Sequence, residues 1–483
     1  MKKKLLLLVT LLTVLLAVLG GFTLMHWWNE HYLLYNKQLL EKDITSLDLS
    51  GKPAEKLDSL QKLPDLTLLD LRDTGLTPEE YRNVSSYLPN CKILWSVPFQ
   101  NGYLDCEESE IHVSELFIED LEMLEYLENL KTVNAEGCRN YDVLAMLKEK
   151  RPDLNIRYTV SVGGTEYNEA TAELILENAD PAEVEVALKH LPELTMVTFT
   201  GIVPENEQIY QWMKAYEQIT FVWNFDVCGV QTSSIATELI LSRIQMESVE
   251  PVESMLKYFY NLQKVEMCGC GISSEEMDAL WKRNPETRFI WEVQVGVCTL
   301  RTDITVFMPY QYGYDGFSKL GDQHTAELKY CVDIICMDIG HMAISDYSFL
   351  AYMPHMQYLI LADTPGKDFS VLAELKELVF LEIFMTSFDQ AEVLVGLTKL
   401  EDLNIGTSPI KNIEPLTQMT WLKHLWLPAT ANTVGPRRTQ LVEALPNTVV
   451  NFKGSGSTGN GWREIPNYYK MRDLLNMGYS KGW

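Results

Sequence analysis

The residues of this chain with chemistry beyond packing are cysteine, histidine and a short glycine cluster. Cys268-Gly269-Cys270 places two thiols two residues apart. A zinc site needs a compact set of four ligands at short spacings, and no histidine pair stands near these two in sequence. Gly454, Gly456 and Gly459 spell G-x-G-x-x-G. A dinucleotide fingerprint needs a helix opening at its last glycine, to seat the pyrophosphate. Here Asn460-Gly461-Trp462 and Pro466 follow, so the stretch reads as a flexible linker. His341, with Asp338 and Asp346 nearby, reads as an ordinary strand-to-turn residue. There is no G-x-S-x-G, no H-E-x-x-H and no P-loop. With 67 carboxylates some acid–base pair can always be imagined, but without a cleft it carries no information. No catalytic residue, metal or cofactor is expected.

The nine cysteines are an odd number, scattered along the chain, and do not form a dense disulfide framework. Cys298 and Cys331 flank an irregular insert and could staple its base. Cys331 and Cys336 also flank a strand and fit a core. Leu445-Pro446-Asn447-Thr448-Val449 approaches a cell-wall sorting signal but ends in valine where glycine is required.

These residues must be held by a repeated backbone. Leu359, Leu381, Leu403 and Leu425 stand 22 residues apart, each heading one phrase: Leu359-Ile360-Leu361, Leu381-Glu382-Ile383, Leu403-Asn404-Ile405 and Leu425-Trp426-Leu427. An apolar residue precedes each by three positions (Met356, Leu378, Leu400, Leu422). This L-x-x-L-x-L phrase resembles the leucine-rich-repeat family, over roughly residues 44–452. The segment Leu403-x-Ile405-x-x-Ser408-x-Ile410-x-x-Ile413-x-Pro415-Leu416 resembles the bacterial internalin-type subclass. The resemblance implies protein ligands above all, bound without catalysis. One departure is the inward Asn position of the family, held here by Thr364, Thr386 and Ser408, and earlier by Thr74, Cys138 and Cys270. Cys138 and Cys270 are thereby expected to be buried structural thiols.

Before residue 298 the units are compound. Their second strands recur at Leu69, Val133, Val197 and Val265. Glu115 to Ile118, Glu173 to Leu176 and Glu238 to Leu241 resemble opening strands. A third strand puts Ile93, Trp95 and Val97 on one face by period-2 alternation. It recurs as Ile156, Tyr158 and Val160, then Phe221, Trp223 and Phe225, then Phe289, Trp291 and Val293. It runs on into an outward hairpin through Asn101-Gly102 or Gly163-Gly164. Thr77 and Pro78 fit the start of a helix ending near Leu88.

The fold expected is α/β: a curved leucine-rich-repeat solenoid with a parallel concave β-sheet, irregular compound repeats and extra β-hairpins, after one N-terminal transmembrane helix. Residues 1–28 form the signal-anchor. Its apolar run, Leu5 to Met25, reaches about 30 Å, enough to cross a bilayer. The leading lysines keep its start cytoplasmic, so the bulk is extracytoplasmic; cleavage as a signal peptide is the alternative. Residues 29–43 are a stalk or capping helix, 44–298 the compound repeats, 299–330 the insert, 331–453 the regular repeats, and 454–483 a Gly/Ser loop and C-terminal cap.

In L-x-x-L-x-L the residues between the leucines point away from the core. The binding face expected is therefore Tyr358, Ile360, Phe380, Glu382, Phe384, Asp402, Asn404, His424 and Trp426. An exposed apolar patch of this kind marks an interaction site. The alternative is that another part of the chain, such as the aromatic C-terminal tail, covers it. Alanine at Phe380 and Trp426 should abolish partner capture and spare folding if the patch is open. The insert adds Tyr310, Tyr312, Tyr314 and Phe317, a Tyr/Gly composition suited to an adaptable binding loop. A protein partner is expected, a glycan is the lesser possibility, and the membrane is met through the N-terminal helix. The formal net charge of −27 argues against nucleic acid. A structural or self-assembling envelope protein is the alternative function, and an enzyme site in the 299–330 insert a minor one.

Overall fold

The structure is a computed structural model that describes residues 2–178, 180–430, 433–454 and 458–476. It divides into two compact units, Met1–Phe221 and Val222–Trp483.

The first unit opens with one helix, Lys2–His31. Within it Thr10–His31 is long and apolar enough to cross a membrane, and Trp27 and Trp28 stand exposed near its end. A hairpin follows where a stalk or helix was expected. Tyr32–Tyr35 pairs antiparallel with Gln38–Glu41, and both turn residues, Asn36 and Lys37, have positive φ, as a type I′ turn requires. Leu33 and Tyr35 anchor this hairpin on the core of the first unit.

Each compound repeat then builds three parallel strands. In the first, Ser46–Asp48, Leu68–Leu71 and Lys92–Phe99 pair in order, and Gly102–Asp105 folds back on the third. Thr77 caps the intervening helix Pro78–Tyr87 through a reciprocal pair of bonds with Glu80. The second repeats the pattern with Glu110–His112, Thr132–Ala135, Asn155–Val162 and the returning Thr165–Asn168. Its hairpin turns at Gly163-Gly164, both at positive φ. The third strands bury Trp95, Trp223 and Trp291 almost completely, each on the face that period-2 alternation assigns.

The opening strand of the second repeat is Glu110–His112, not Glu115 to Ile118. Ile111 pairs in register with Val133, while Phe117 and Ile118 are exposed. The apolar pair imitated a strand, but the chain there turns toward the helix Asp120–Leu124, with Asp120 accepting from the Phe117 N–H at 3.0 Å.

In the second unit a seven-stranded parallel sheet runs Val306–Phe307, Cys336–Asp338, Tyr358–Ile360, Phe380–Glu382, Asp402–Asn404, His424–Trp426 and Val449–Asn451. The register aligns Met337, Leu359, Leu381, Leu403, Leu425 and Val450 across it. These leucines are fully buried. One strand of this sheet, Val306–Phe307, comes from the expected insert, so that segment is partly a repeat.

The turn after each strand also recurs. His341, Asp363, Met385, Thr407 and Ala429, one per 22 residues, all hold φ between 50 and 62°. The N–H of each of the first four reaches the carbonyl of the next repeat, as from Asp363 to Phe384 at 3.0 Å and from Met385 to Gly406 at 3.0 Å. His341 is thus the strand-to-turn residue expected, its Nδ1 lying 2.9 Å from Oδ2 of Asp363. Inside the turn the hydroxyls replace the family's Asn. Thr74 and Thr386 donate to Leu71 and Ile383 at 2.6 and 2.7 Å. Ser408 and the Cys270 thiol reach back to Ile383 and Leu241, the strands of the preceding repeat.

Cys298 and Cys331 are free buried thiols, not a disulfide. Cys298 opens the hairpin strand Cys298–Arg301, paired with Val295. Cys331 instead follows the turn Ala326–Tyr330, with its thiol toward the Arg301 carbonyl. Burial pushes them up to about 11 and about 12.

Candidate functional site

Strand pleating sends every second side chain to the face opposite the leucines. The seven-stranded sheet therefore aligns Cys336, Tyr358, Phe380, Asp402 and His424 in one row, and Asp338, Ile360, Glu382, Asn404 and Trp426 in the next. These are the positions expected to be open. They are not: Phe380 and Asn404 are 0% exposed, Asp402 is 1% and Trp426 3%. Tyr358, Ile360, Glu382 and Phe384 are buried too, and His424 is partly covered.

What covers them is the C-terminal segment. After the glycine-rich stretch the chain makes a short turn, Trp462–Glu464, and a helix, Pro466–Leu474. Trp462, Ile465, Tyr468, Met471 and Leu475 pack with Tyr358, Ile360, Phe380, Phe384 and Trp426 in a second hydrophobic cluster, on the other side of the sheet from the leucine core. Trp462 is fully buried. Its ring centroid lies 5.2 Å from that of Phe380 and 5.3 Å from that of Trp426, separations typical of offset aromatic pairs.

The polar contacts are as specific. The Trp462 indole N–H donates to Oε1 of Glu382. The Asn467 amide donates to Oε2 of Glu401 and Oδ2 of Asp402, each at 2.9 Å. The other oxygen of Asp402 meets His424 Nδ1 at 2.6 Å. Trp426 donates its indole N–H to the Gly459 carbonyl at 3.0 Å, and Gln311 donates to the Leu475 carbonyl at 2.6 Å. Asn404 accepts from the Gly406 N–H at 3.1 Å.

Burial raises Glu382 from 4.5 to about 8, against the lowering effects of the Trp462 bond and of Arg463. Asp338 is raised to about 6 by burial, opposed by the Gly340 N–H and His341. Glu401, at the rim, is held below its usual value: burial opposes, but Lys423 and Asn467 together outweigh it. The face can therefore accept hydrogen bonds and take aromatic rings. Among the described residues no group of three or more His, Cys, Asp or Glu is placed to hold a metal ion.

The insert aromatics divide. Tyr314 is buried, its hydroxyl accepting from the Val297 N–H at 3.1 Å. Tyr310 and Tyr312 are partly exposed, and Phe317 is 101% exposed. Sequence reasoning assigned the C-terminal residues to capping the last repeat and, as the alternative, to covering this face. The second placement is the one the packing of Trp462 and Tyr468 on Phe380 agrees with.

No family model and no curated protein matches the sequence. Among solved structures the chain is similar to internalin C2 of Listeria monocytogenes, at 18% identity and TM-score 0.26, covering 45% of this chain and 80% of that one. It is similar to an internalin (inlF) of the same organism at 14% identity and TM-score 0.25, covering 87% and 91%. A leucine-rich-repeat protein of Leptospira interrogans is similar at 12% identity and TM-score 0.24, covering 85% and 96%. A fourth, at 14% identity and TM-score 0.21, is TLR13 in complex with ssRNA13, covering 85% and 52%. The repeated L-x-x-L-x-L phrase of this chain, with the inner leucines paired in register every 22 residues, builds a stack of leucine-rich repeats in the second unit.

Proposed function

We infer that this chain is a non-catalytic binding protein, held at a membrane by its N-terminal helix with its repeats outside the cytoplasm, and that its ligand is a protein. The observation that carries this reading is the chemistry of the sheet face in the second unit. Structural seams between elements of one chain are mostly apolar, because a buried charge without a cationic partner costs free energy. Here two carboxyl groups sit beneath the C-terminal segment: Glu382, raised to about 8 by burial, meets an indole N–H, and Asp402 meets a carboxamide and His424. Aromatic anchors ringed by polar acceptors are the composition of a recognition surface.

A nucleic-acid ligand is disfavoured by the carboxylates on this face and by the net charge of −27. A glycan is the lesser alternative, since the rings that would stack on sugars lie under the segment.

The test is site-specific photo-crosslinking in the cell that makes the protein. A photoreactive group replaces Tyr310, which lies at the rim near Asp338 and is 39% exposed, or Phe317. A discrete crosslinked protein is the expected result. Crosslinks only to lipid, or to no macromolecule from either position, would sink the reading.

A further inference from the structure

We propose that residues 462–475 are a displaceable self-ligand, occupying the place where a tryptophan-bearing, basic segment of a partner protein binds. The proposal rests on the protein-binding reading above and names the class of partner.

Three observations carry it. The first is how the segment is held. The repeats are joined by a backbone ladder running strand to strand. The backbone–backbone bonds of the segment run within it, as from Tyr468 to Ile465 and from Leu475 to Met471, or to Gly459 and Gly461 just before it. Its polar links to the repeats run through side chains: Trp462 to Glu382, Asn467 to Glu401 and Asp402, and Gln311 to Leu475. A side-chain-held segment can leave without breaking the sheet.

The second is what it covers. Asp338, Glu382, Glu401 and Asp402 all line the sheet face or its rim, and the segment carries Arg463 and Lys470 in its own sequence. Arg463 and Lys470 act electrostatically on Glu382 and Glu401. The face thus selects aromatic and basic chemistry together. Trp462 fills the ring slot between Phe380 and Trp426, and Asn467, five residues on, bridges two acids.

The third is the tether. Residues 454–461 join the segment to the end of the sheet, and of these 455–457 lie outside the described residues. A segment joined covalently to its own face meets it at an effective concentration set by the linker. An external segment of the same chemistry then competes when its affinity or abundance exceeds that value.

The experiment uses the full chain in detergent and a fluorescent peptide of residues 458–476 as probe. Wild-type chain should bind the peptide weakly, because its own segment fills the face. The full-length Trp462→Ala chain should bind it at least tenfold more tightly, and a probe carrying the same Trp→Ala change should not bind. Absence of peptide binding by a Trp462→Ala chain that keeps its circular dichroism would overturn the proposal. Hydrogen exchange on unmodified chain covers the case where that variant fails to fold. Amides of the Pro466–Leu474 helix should exchange at least tenfold faster than those of strand Phe380–Glu382, and exchange of both at one common rate would overturn the proposal. Peptide capture with no crosslinked partner would sink the protein-binding reading and with it the partner class, leaving only the displaceable segment; a crosslinked partner with no peptide capture would sink this proposal alone.

Discussion

The indole N–H of Trp462 donates to Oε1 of Glu382, 80 residues earlier in the chain. That bond joins the C-terminal segment to the centre of the sheet face and leaves a carboxyl group buried with a neutral donor.

Docking of the segment should therefore depend on pH. Glu382 has a folded value of about 8 against an ordinary 4.5. Its stabilising contribution is fully present below about 4.5 and is lost as pH rises to about 8, because the undocked state gains more by ionising. Asp338, raised to about 6, acts in the same direction. Glu401, lowered, acts oppositely and weakens docking as pH falls below 4.5. Arg463 and Tyr468 also face Glu382. Amide exchange in the Pro466–Leu474 helix should slow between pH 8 and pH 5, beyond the intrinsic chemical effect. The span is on the order of a few kcal/mol. Glu382→Gln should remove most of it, and an unchanged profile in that variant would exclude Glu382 as the source.

Phe380 is a packing residue in this structure, so alanine there should not be silent. Phe380→Ala should cost about 3–5 kcal/mol, read as a lower urea midpoint, whereas Phe317→Ala at a fully exposed ring should stay within about 0.5 kcal/mol. The expectation that Phe380 and Trp426 could be removed with folding spared was tied to an open face, and both rings are buried.

The left-handed turn at Met385 offers a change in the stabilising direction. Its φ is 56° and its side chain is half exposed. An L-residue there is strained by roughly 1–2 kcal/mol, partly offset by the greater entropy that glycine loses. Met385→Gly should raise the melting temperature slightly, by up to about 1 kcal/mol of stability. Met385→Val, branched at Cβ, should lower it by about as much. A drop with glycine would mean the methionine side chain contributes contacts that outweigh the strain.

Both thiols flanking the insert should be silent in the native chain. Burial holds Cys331 at about 12 and Cys298 at about 11, and the thiolate is the reactive form. Iodoacetamide at pH 8 should leave them unmodified until denaturant is added. Unreduced, denatured chain should then show both alkylated by peptide mass; a mass consistent with a bridge between them would contradict the structure.

The face a side chain takes was legible wherever a period fixed it. The leucines at 22-residue spacing define the inner face, and alternation through Trp95, Trp223 and Trp291 defines the third strand, because both are properties of the strand alone. What lies on the outer face is not such a property. Trp462 meets Glu382 through a loop closure that no local pattern encodes, so chemistry at Tyr358, Phe380 and Trp426 was readable, while their coverage by the tail stood only as an alternative to an open face. Val306–Phe307 escaped notice because two residues carry no period. Phe117 and Ile118 misled because an apolar pair at a turn resembles a strand until the pairing of Ile111 with Val133 is seen.

The hairpins that end the compound repeats have a consequence for how such a chain can change over generations. The parallel strands of the first and second compound repeats form separate sheets, each finishing in its own folded-back strand. A whole block can thus be gained or lost without shifting the pairing of its neighbours, and the near-equal spacing of Leu69, Val133 and Val197 is the trace such copying would leave. The seven-stranded run has no such seam. Deleting one of its repeats would slide Glu382 and Asp402 against the segment that closes over them, so its length is bound to that of the C-terminal tail.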